Sequence, residues 1–148
     1  MLVKPLDDAG PPIVWRLRLS AAPERVFSAW LTPDDHVRFW SERSEQYPEG
    51  FRLQFIDGAV ALCRVIESVH PSHIRMHYFG AHVDITLEPL DGGTDLKLTA
   101  QNVPVDDWQD VFAGWLNVLL PFKAWVDFGV DIRSHDPKRT WHEGYVDQ

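Results

Sequence analysis

The 148-residue sequence is poor in cysteine, in positive charge and in long apolar runs, and each shortage excludes a class of protein. Its one cysteine, Cys63, permits no intramolecular disulfide and fits a reducing compartment. There are 14 basic residues against 22 acidic ones, and the net charge of −8 disfavours nucleic acids and anionic membranes as partners. No apolar run is long enough for a signal peptide or a membrane span, so we expect a cytoplasmic protein.

The residues that are present suit one globular domain. Apolar residues make up 45% of the chain, which is enough to bury a substantial core. No internal repeat and no low-complexity linker divides the sequence. We therefore expect residues 1–148 to form a single domain, with its core in residues 13–129 and a tail in residues 130–148.

A strand and two short helices are predicted near the start of the chain. From Ile13 to Ser20, apolar and polar residues alternate, as they do in a strand with one buried face. The segment "SAAPERVFSAWL" predicts a short helix with Pro23 in its first turn. The segment "TPDDHVRFW" predicts a second helix, with Thr32 as its N-cap and Pro33 at its first position.

From residue 50 to residue 103 the sequence predicts strands joined by turns. Asp57-Gly58 is a two-residue hairpin signal, and Gly80-Ala81 predicts another tight turn. A short additional strand is predicted in "SERSEQY", and the main strands cover residues 50–56, 59–69, 73–79, 82–88 and 94–101.

One long helix is predicted from Asp106 to Gly129, with two distinct faces and with Pro121 bending it along the sheet. Its narrow polar stripe contains Asp106, Asp110, Ala113, Asn117, Ala124 and Asp127. Its apolar stripe, which we expect to be buried, contains Trp108, Val111, Phe112, Trp115, Leu119, Phe122 and Val126.

The predicted turns fix which residues pair across neighbouring antiparallel strands, and this register decides the face of the sheet on which each side chain lies. The pairing places the apolar residues of all five strands on one face. On the other face, Glu67 is predicted opposite Arg75 and His77 opposite Asp84, which are favourable cross-strand pairs. The predicted pairs on the apolar face are Phe51–Arg64, Leu53–Leu62, Arg64–Tyr78, Tyr78–Val83, Met76–Ile85, Val83–Ala100, Ile85–Leu98 and Leu87–Leu96.

Arg64 is the one charged residue on this apolar face. An unpaired guanidinium in an apolar interior costs on the order of several kcal/mol, so Arg64 needs a carboxylate, a carbonyl group, water or a ligand. Phe51 or Tyr78 can add a cation–π contact. The functional interpretation is a polar anchor inside a cavity. The alternatives are a bulge near Cys63 that turns Arg64 outwards and a side chain that extends to the rim.

The sequence contains no motif for metal binding or for covalent catalysis. Its seven histidines form no His-Glu-x-x-His motif and no zinc-ligand spacing. His73 and His77 project outwards in the predicted register and are interpreted as exposed cross-strand partners. Cys63 also projects outwards, without a histidine to activate it. We therefore predict no catalytic residue, no metal site and no cofactor.

The order of elements carries a family resemblance. With "AAPERVFSAWLTPDDHVRFW" near the start and "WQDVFAGWLNVLLPFKAWVDFG" near the end, the chain resembles the START/SRPBCC (Bet v 1-like) helix-grip superfamily over roughly residues 13–129. Within it, the chain is similar to the bacterial proteins named after activators of Hsp90 ATPase. The resemblance implies an α+β helix-grip fold. In this fold a curved antiparallel sheet of six to seven strands wraps around a long C-terminal helix, with two short helices between strands 1 and 2.

Members of the superfamily hold lipids, sterols, polyketides or hormones between sheet and helix, so we expect a small hydrophobic or amphipathic ligand. One alternative is a polyketide cyclase or hydrolase-like enzyme in which Tyr78 and Arg64 act as acid and electrostatic stabiliser. The other is a protein-interaction module with a chaperone or toxin-system partner. The sequence does not indicate an oligomeric state. The candidate ligand-binding residues are Arg64, Tyr78, Phe51, Trp15, Met76, Trp108, Phe112 and Trp115.

Overall fold

The computed structural model describes residues 8–148, so the first seven residues of the predicted domain lie outside the described part. The helices are α1 (Pro23–Trp30), α2 (Pro33–Phe39) and α3 (Trp108–Phe128), and short 3-10 turns lie at Val105–Asp107 and Trp141–Glu143. The strands are β1 (Ile13–Leu19), β2 (Arg43–Tyr47), β3 (Gly50–Gln54), β4 (Val60–Val69), β5 (His73–Tyr78), β6 (Ala81–Leu90) and β7 (Gly93–Gln101).

The seven strands form one curved antiparallel sheet in the order β1-β7-β6-β5-β4-β3-β2. Helices α1 and α2 lie between β1 and β2 in the chain, and α3 follows β7. The segment "SERSEQY" supplies β2, as predicted. The predicted α+β class, with six to seven strands and two short helices after the first strand, is therefore confirmed.

The core lies between one face of the sheet and the helices. Ile85 and Leu98 are paired on adjacent central strands, and both are fully buried. Phe122 of α3 belongs to the same cluster, and its ring centroid lies 4.5 Å from that of Trp30 in α1. Burial of each such side chain away from water stabilises the fold by about 1.5–3 kcal/mol. These apolar contacts hold α3 against the sheet.

A side chain from the last turn of α3 organises the chain just before α1. The Asp127 carboxylate accepts the backbone N–H groups of Ser20 at 2.9 Å and of Ala21 at 3.0 Å. Its side chain is only 1% exposed. The placement of Asp127 in a polar stripe is therefore wrong, because the carboxylate is buried to satisfy backbone donors. Trp115, Leu119 and Phe122 are buried on the opposite stripe, as predicted.

The β3–β4 hairpin has a three-residue loop where the sequence predicted two. The Phe55 N–H donates to the Ala59 carbonyl at 2.8 Å, and the Gly58 N–H donates to the Phe55 carbonyl at 2.9 Å. Gly58 has φ 89°, the left-handed conformation that closes such a loop. The extra residue shifts the register by one, which leaves Phe51 and Leu53 of β3 buried as predicted and reverses the faces of β4. Leu53 pairs with Ala61, so the predicted pairs Leu53–Leu62 and Phe51–Arg64 are wrong.

A β-bulge interrupts β4. Val65 pairs with Met76 while Glu67 pairs with Arg75, so Ile66 is the extra residue on the bulged strand. On the far side of the bulge, the predicted Glu67–Arg75 pair is confirmed. On the near side, every residue of β4 faces the side opposite to the predicted one.

Arg64 lies on this near side and faces away from the core. It pairs with His77 rather than with Tyr78, and its Nε lies 3.0 Å from a carboxylate oxygen of Glu49. The prediction that Arg64 points inwards is therefore wrong, and the bulge alternative is the one observed. Cys63, predicted to point outwards, is instead 1% exposed, and burial raises its pKa to about 12.

The β5–β6 hairpin turns at Phe79-Gly80, one residue earlier than predicted. Both residues have positive φ, 50° and 75°, which is typical of the tightest hairpin turns. Tyr78 therefore pairs with Ala81, and the predicted pair Tyr78–Val83 is shifted by two residues. Such a shift leaves each side chain on its predicted face. The same shift makes the predicted pair Met76–Ile85 wrong.

The outer face of the sheet is polar, but its pairs differ from those predicted. Asp84 lies opposite Arg75 and accepts from its Nε at 3.0 Å. His77 lies opposite His82 and is only 7% exposed, so the expectation of an exposed His77 facing Asp84 is wrong. Between β6 and β7, the predicted pairs Val83–Ala100, Ile85–Leu98 and Leu87–Leu96 are confirmed.

Candidate functional site

A cleft of about 250 Å³ lies between the first half of α3 and the ends of two hairpins. The sheet contributes Phe55, Asp57, Ala59, Tyr78 and Phe79, while α3 contributes Asp110, Val111, Gly114, Trp115, Asn117 and Val118. The remaining lining residues are Trp40, which follows α2, and Trp141, His142 and Gln148 from the tail.

Three side chains form an aromatic wall, namely Trp40, Tyr78 and Trp115. The ring centroid of Tyr78 lies 5.3 Å from that of Trp40 and 5.6 Å from that of Trp115. The indole N–H of Trp40 donates to the Tyr78 hydroxyl oxygen at 3.2 Å. Both tryptophans are 4% exposed, so core packing fixes the position of the wall.

The Tyr78 hydroxyl is the oxygen atom of the aromatic wall, and it accepts the Trp40 indole N–H. Burial raises the pKa of this phenol above its ordinary value, and the hydrogen bond from Trp40 offsets only part of that effect. The phenol is therefore neutral at physiological pH, and it can orient a ligand by hydrogen bonding.

Gly114 keeps the α3 side of the cleft open. Its helix neighbours three and four residues away, Asp110, Val111, Asn117 and Val118, all line the cleft, so a side chain at this position would point into it. A Cβ placed on Gly114 meets nothing within 4 Å. Glycine inside a helix costs about 1 kcal/mol relative to alanine. Helix α3 thus carries a destabilising residue where a larger one would fill the cleft.

Oxygen acceptors form part of the polar lining. Asp57 and Asp110 contribute carboxylates from opposite sides of the cleft, and Asn117 contributes an amide. The Asn117 Oδ1 is buried and has no hydrogen-bond partner within residues 8–148. No lysine or arginine occurs among the described residues that line the cleft.

The tail crosses the cleft and closes one side of it. The indole N–H of Trp141 donates to Asp110 Oδ1 at 2.8 Å, and His142 Nε2 lies 3.2 Å from Asp57 Oδ2. Gln148 Oε1 accepts the backbone N–H of Trp141 at 2.6 Å. These contacts join the tail both to α3 and to the β3–β4 loop. Residues 130–148 therefore pack back on the core.

A buried arginine anchors the start of the tail. Arg133 Nη2 donates to the carbonyls of Val37 at 2.8 Å and of Ser41 at 2.9 Å, and the side chain is 4% exposed. Burial lowers the pKa of Arg133 from its ordinary value. Next to it, His135 lies between carboxylates of Glu42 and Asp131, at 2.8 and 2.7 Å. The tail is therefore fixed at both ends, at the segment after α2 and at the cleft.

Comparison with known proteins agrees with this architecture. The family model of activator of Hsp90 ATPase homolog 1-like proteins matches residues 20–127. The chain belongs to this family. The resemblance predicted from the sequence is thus confirmed. No curated protein matches the chain.

Solved structures of several other proteins share the fold. A protein of Staphylococcus saprophyticus has a TM-score of 0.72 at 22% identity, over 83% of this chain and 96% of that one. Aha1 of Colwellia psychrerythraea, solved as a dimer, has a TM-score of 0.74 at 18% identity, over 81% and 98%. DynU16, from the dynemicin biosynthetic locus, has a TM-score of 0.70 at 18% identity, over 85% of this chain and 49% of that one.

In this AHSA1-like chain, two of the eight predicted ligand-binding residues line the cleft, Tyr78 and Trp115. Phe51 and Met76 are buried in the core, at 4% and 1% exposed. Arg64 lies on the outer face of the sheet.

The other three predicted residues form a separate stack at the start of α3. The ring of Phe112 lies 4.4 Å from that of Trp15 and 4.8 Å from that of Trp108. The Trp15 indole N–H donates to the Phe112 carbonyl at 3.0 Å. The stack does not contribute to the lining of the cleft.

The other lining residues carry little signal in the sequence, for identifiable reasons. Asp57 was interpreted only as a turn residue, and Asp110 only as part of a polar stripe. Gly114 is the exception, because a glycine inside an apolar helix is destabilising and therefore indicates a packing or functional role. Trp40 and Trp141 reach the cleft through tertiary contacts that no local pattern indicates.

Two further properties of the described residues bear on function. No helix within residues 8–148 is long and apolar enough to cross a membrane. Within the same residues, no group of three or more His, Cys, Asp or Glu side chains is placed to hold a metal ion.

Proposed function

We propose that this AHSA1-like protein binds a small hydrophobic or amphipathic molecule in the cleft. The observation that carries the proposal is Gly114 facing unfilled space next to the aromatic wall. Apolar concave sites with a few polar groups are the usual form of small-molecule sites. Arg64 has no part in this proposal, since it lies on the other face of the sheet.

The size of the cleft limits the ligand. An apolar cavity of about 150 Å³ holds a benzene molecule, so the cleft, of about 250 Å³, suits a compound of one or two fused rings or a short acyl chain. The likeness to DynU16, a protein of a biosynthetic locus, is compatible with a small organic ligand.

Substitution at Gly114 tests the proposal, with the neutral two-ring alcohol 1-naphthylmethanol as the probe. Isothermal titration of the natural protein should give one site. Gly114→Leu fills the cleft from a position where a Cβ meets nothing within 4 Å, so it should abolish binding while the protein stays folded. Gly114→Ala, the matched control, adds one carbon and should weaken binding only a few-fold. Equal affinities for all three proteins would remove the cleft from consideration.

Native mass spectrometry of freshly purified protein adds a test without a chosen probe. A co-purified molecule of low mass should be present with the natural protein and absent from Gly114→Leu. Retention of that molecule by Gly114→Leu would place its site elsewhere.

A second candidate function, protein interaction, is favoured by an exposed apolar surface. Leu120 and Phe128 on α3 are 55% and 71% exposed, and Val130 and Ile132 beyond it are 49% and 47% exposed. Because Aha1 of Colwellia psychrerythraea is a dimer, we propose a second copy of this chain as the occupant. Sedimentation should show a dimer that Phe128→Asp converts to a monomer; a monomeric natural protein would contradict this candidate.

A further inference from the structure

The cleft presents oxygen acceptors to a ligand. Its lining places the carboxylates of Asp57 and Asp110 and the amide of Asn117 around the aromatic wall. Asp110 uses Oδ1 for the Trp141 indole, and its Oδ2 has no hydrogen-bond partner within residues 8–148. The Asn117 Oδ1 is likewise unpaired there. Asp110 is exposed, but the buried Asn117 oxygen costs free energy without a donor, so the cleft is suited to a ligand that supplies an N–H or O–H group.

Three of the nitrogen groups that line the cleft already have partners. The Trp40 indole N–H is bonded to Tyr78, and the Trp141 indole N–H is bonded to Asp110. His142 is bonded to Asp57. An anionic ligand would meet the carboxylates of Asp57 and Asp110, and like charges repel.

The aromatic side chains complement a positive charge as well. The faces of tryptophan and tyrosine rings attract ammonium groups, by about 0.5–1 kcal/mol at exposed sites and more where water is excluded. Trp40, Tyr78 and Trp115 supply such faces in the wall, and Trp141 supplies another from the tail. The combination of ring faces and carboxylates is the usual arrangement of sites for organic cations.

The remaining charges of the molecule do not oppose this preference. Arg64, the arginine interpreted from the sequence as a polar anchor inside a cavity, lies beside Glu49 on the outer face of the sheet. The net charge of −8 attracts cations towards the surface. Within residues 8–148 no cluster of three metal-ligating side chains exists, so an organic cation fits the cleft better than a bare metal ion.

We infer that the natural ligand of the cleft is an organic cation, an amine attached to an apolar body of one or two rings, whose positive group lies between Asp110, Asn117 and the aromatic wall. This inference rests on the proposed binding function and names its ligand class. An inward-pointing Arg64 would instead select an acidic or carbonyl ligand.

Three probes with the same ring system and different charge test the inference. They are 1-naphthylmethylamine, 1-naphthylmethanol and 1-naphthylacetic acid, titrated by calorimetry at physiological salt so that long-range attraction is screened. The amine should bind about tenfold more tightly than the alcohol, and the acid more weakly than the alcohol. Equal affinities for the three probes, or tighter binding of the acid, would overturn the cationic preference while leaving the binding function intact. Failure of all three probes to bind would overturn both.

A matched pair of variants separates the cleft from the net charge. Asp110→Asn keeps an oxygen acceptor for the Trp141 indole and removes one negative charge from the cleft. Asp91→Asn removes the same charge from the β6–β7 turn, which does not line the cleft. The amine should lose about five- to tenfold in affinity for Asp110→Asn and nothing for Asp91→Asn, while the alcohol is unaffected by either. Equal effects of the two variants on the amine would contradict the inference.

Discussion

The indole N–H of Trp141 donates to Asp110 Oδ1 at 2.8 Å, which joins the tail to α3 across the mouth of the cleft. The two residues are separated by 31 positions in the chain. Asp110 is exposed at the start of α3, so its bond with the tail is a surface contact that a few kcal/mol can break. The Trp141 ring therefore lines the site only while the tail keeps its position.

Removal of the Trp141 side chain should open the cleft. Trp141→Ala loses both the ring and the hydrogen bond to Asp110, and we expect the Kd for 1-naphthylmethanol to rise about tenfold. Trp141→Phe keeps a ring without the N–H donor and should raise the Kd only two- to threefold. Tyr145→Ala, in the same tail but outside the cleft lining, is the control and should leave the Kd unchanged. Calorimetric titration measures all three.

Arg133 should be essential for stability, because it is the buried charge that holds the tail. Arg133→Met keeps the length of the side chain but leaves the carbonyls of Val37 and Ser41 without their donor. We expect a loss of about 2–4 kcal/mol in the free energy of unfolding by urea. Arg139→Met, where the side chain is 60% exposed, should change it by less than about 0.5 kcal/mol. Similar losses for the two variants would contradict the anchoring role.

His36 should make stability depend on pH in the acid range. Its Nε2 lies 2.7 Å from the Trp30 carbonyl and therefore donates to it, while Nδ1 accepts from the Ser44 hydroxyl at 2.8 Å. Burial lowers its pKa from 6.5 to about 4. Below pH 6.5 the unfolded chain takes up this proton first, so stability is lost as the pH falls from 6.5 towards 4.

The size of this effect can be measured by urea unfolding at two pH values. The His36 contribution should fall by about 2 kcal/mol between pH 7 and pH 5. His36→Gln, which cannot titrate, should be less stable at pH 7 and should lack this part of the pH dependence. A variant with the same pH dependence as the natural protein would show that another group is responsible.

Cys63 should be unreactive in the folded protein. The thiol is buried at 1% exposure and contacts the Met76 sulfur at 3.3 Å, and its pKa is raised to about 12. Because the thiolate is the reactive form, iodoacetamide at pH 8 should leave the native protein unmodified and should alkylate it fully in urea. Rapid native-state alkylation, detected by mass spectrometry, would contradict the inward orientation.

Local signals in the sequence were sufficient to predict the helices and strands, and to predict the β6–β7 register. Pro23 and Pro33 mark the starts of α1 and α2, since proline is favoured at the first helical positions. Alternation in β1 gives Ile13 and Leu19 as buried residues. The β6–β7 register was also predictable, because both strands are long and their apolar faces are regular.

The other hairpin registers depend on single residues whose backbone conformations no pattern reveals. Phe79 adopts a left-handed conformation that a residue with a large side chain rarely takes, so the turn was expected one residue later. The extra residues at the β3–β4 loop and at Ile66 each reverse the faces of the neighbouring segment. That reversal is why the prediction of an inward-pointing Arg64 is wrong.

The central claim is that the cleft beside Gly114 accepts a small ligand, and the indole N–H signals of the seven tryptophans test it within one titration. In a ¹H–¹⁵N correlation spectrum, assigned by single Trp→Phe substitutions, 1-naphthylmethanol should shift the signals of Trp40, Trp115 and Trp141, which line the cleft. The signals of Trp30, fully buried, and Trp125, bonded to Asp35, should stay in place. Unchanged cleft signals at millimolar probe, or shifts confined to Trp15 and Trp108, would contradict the claim.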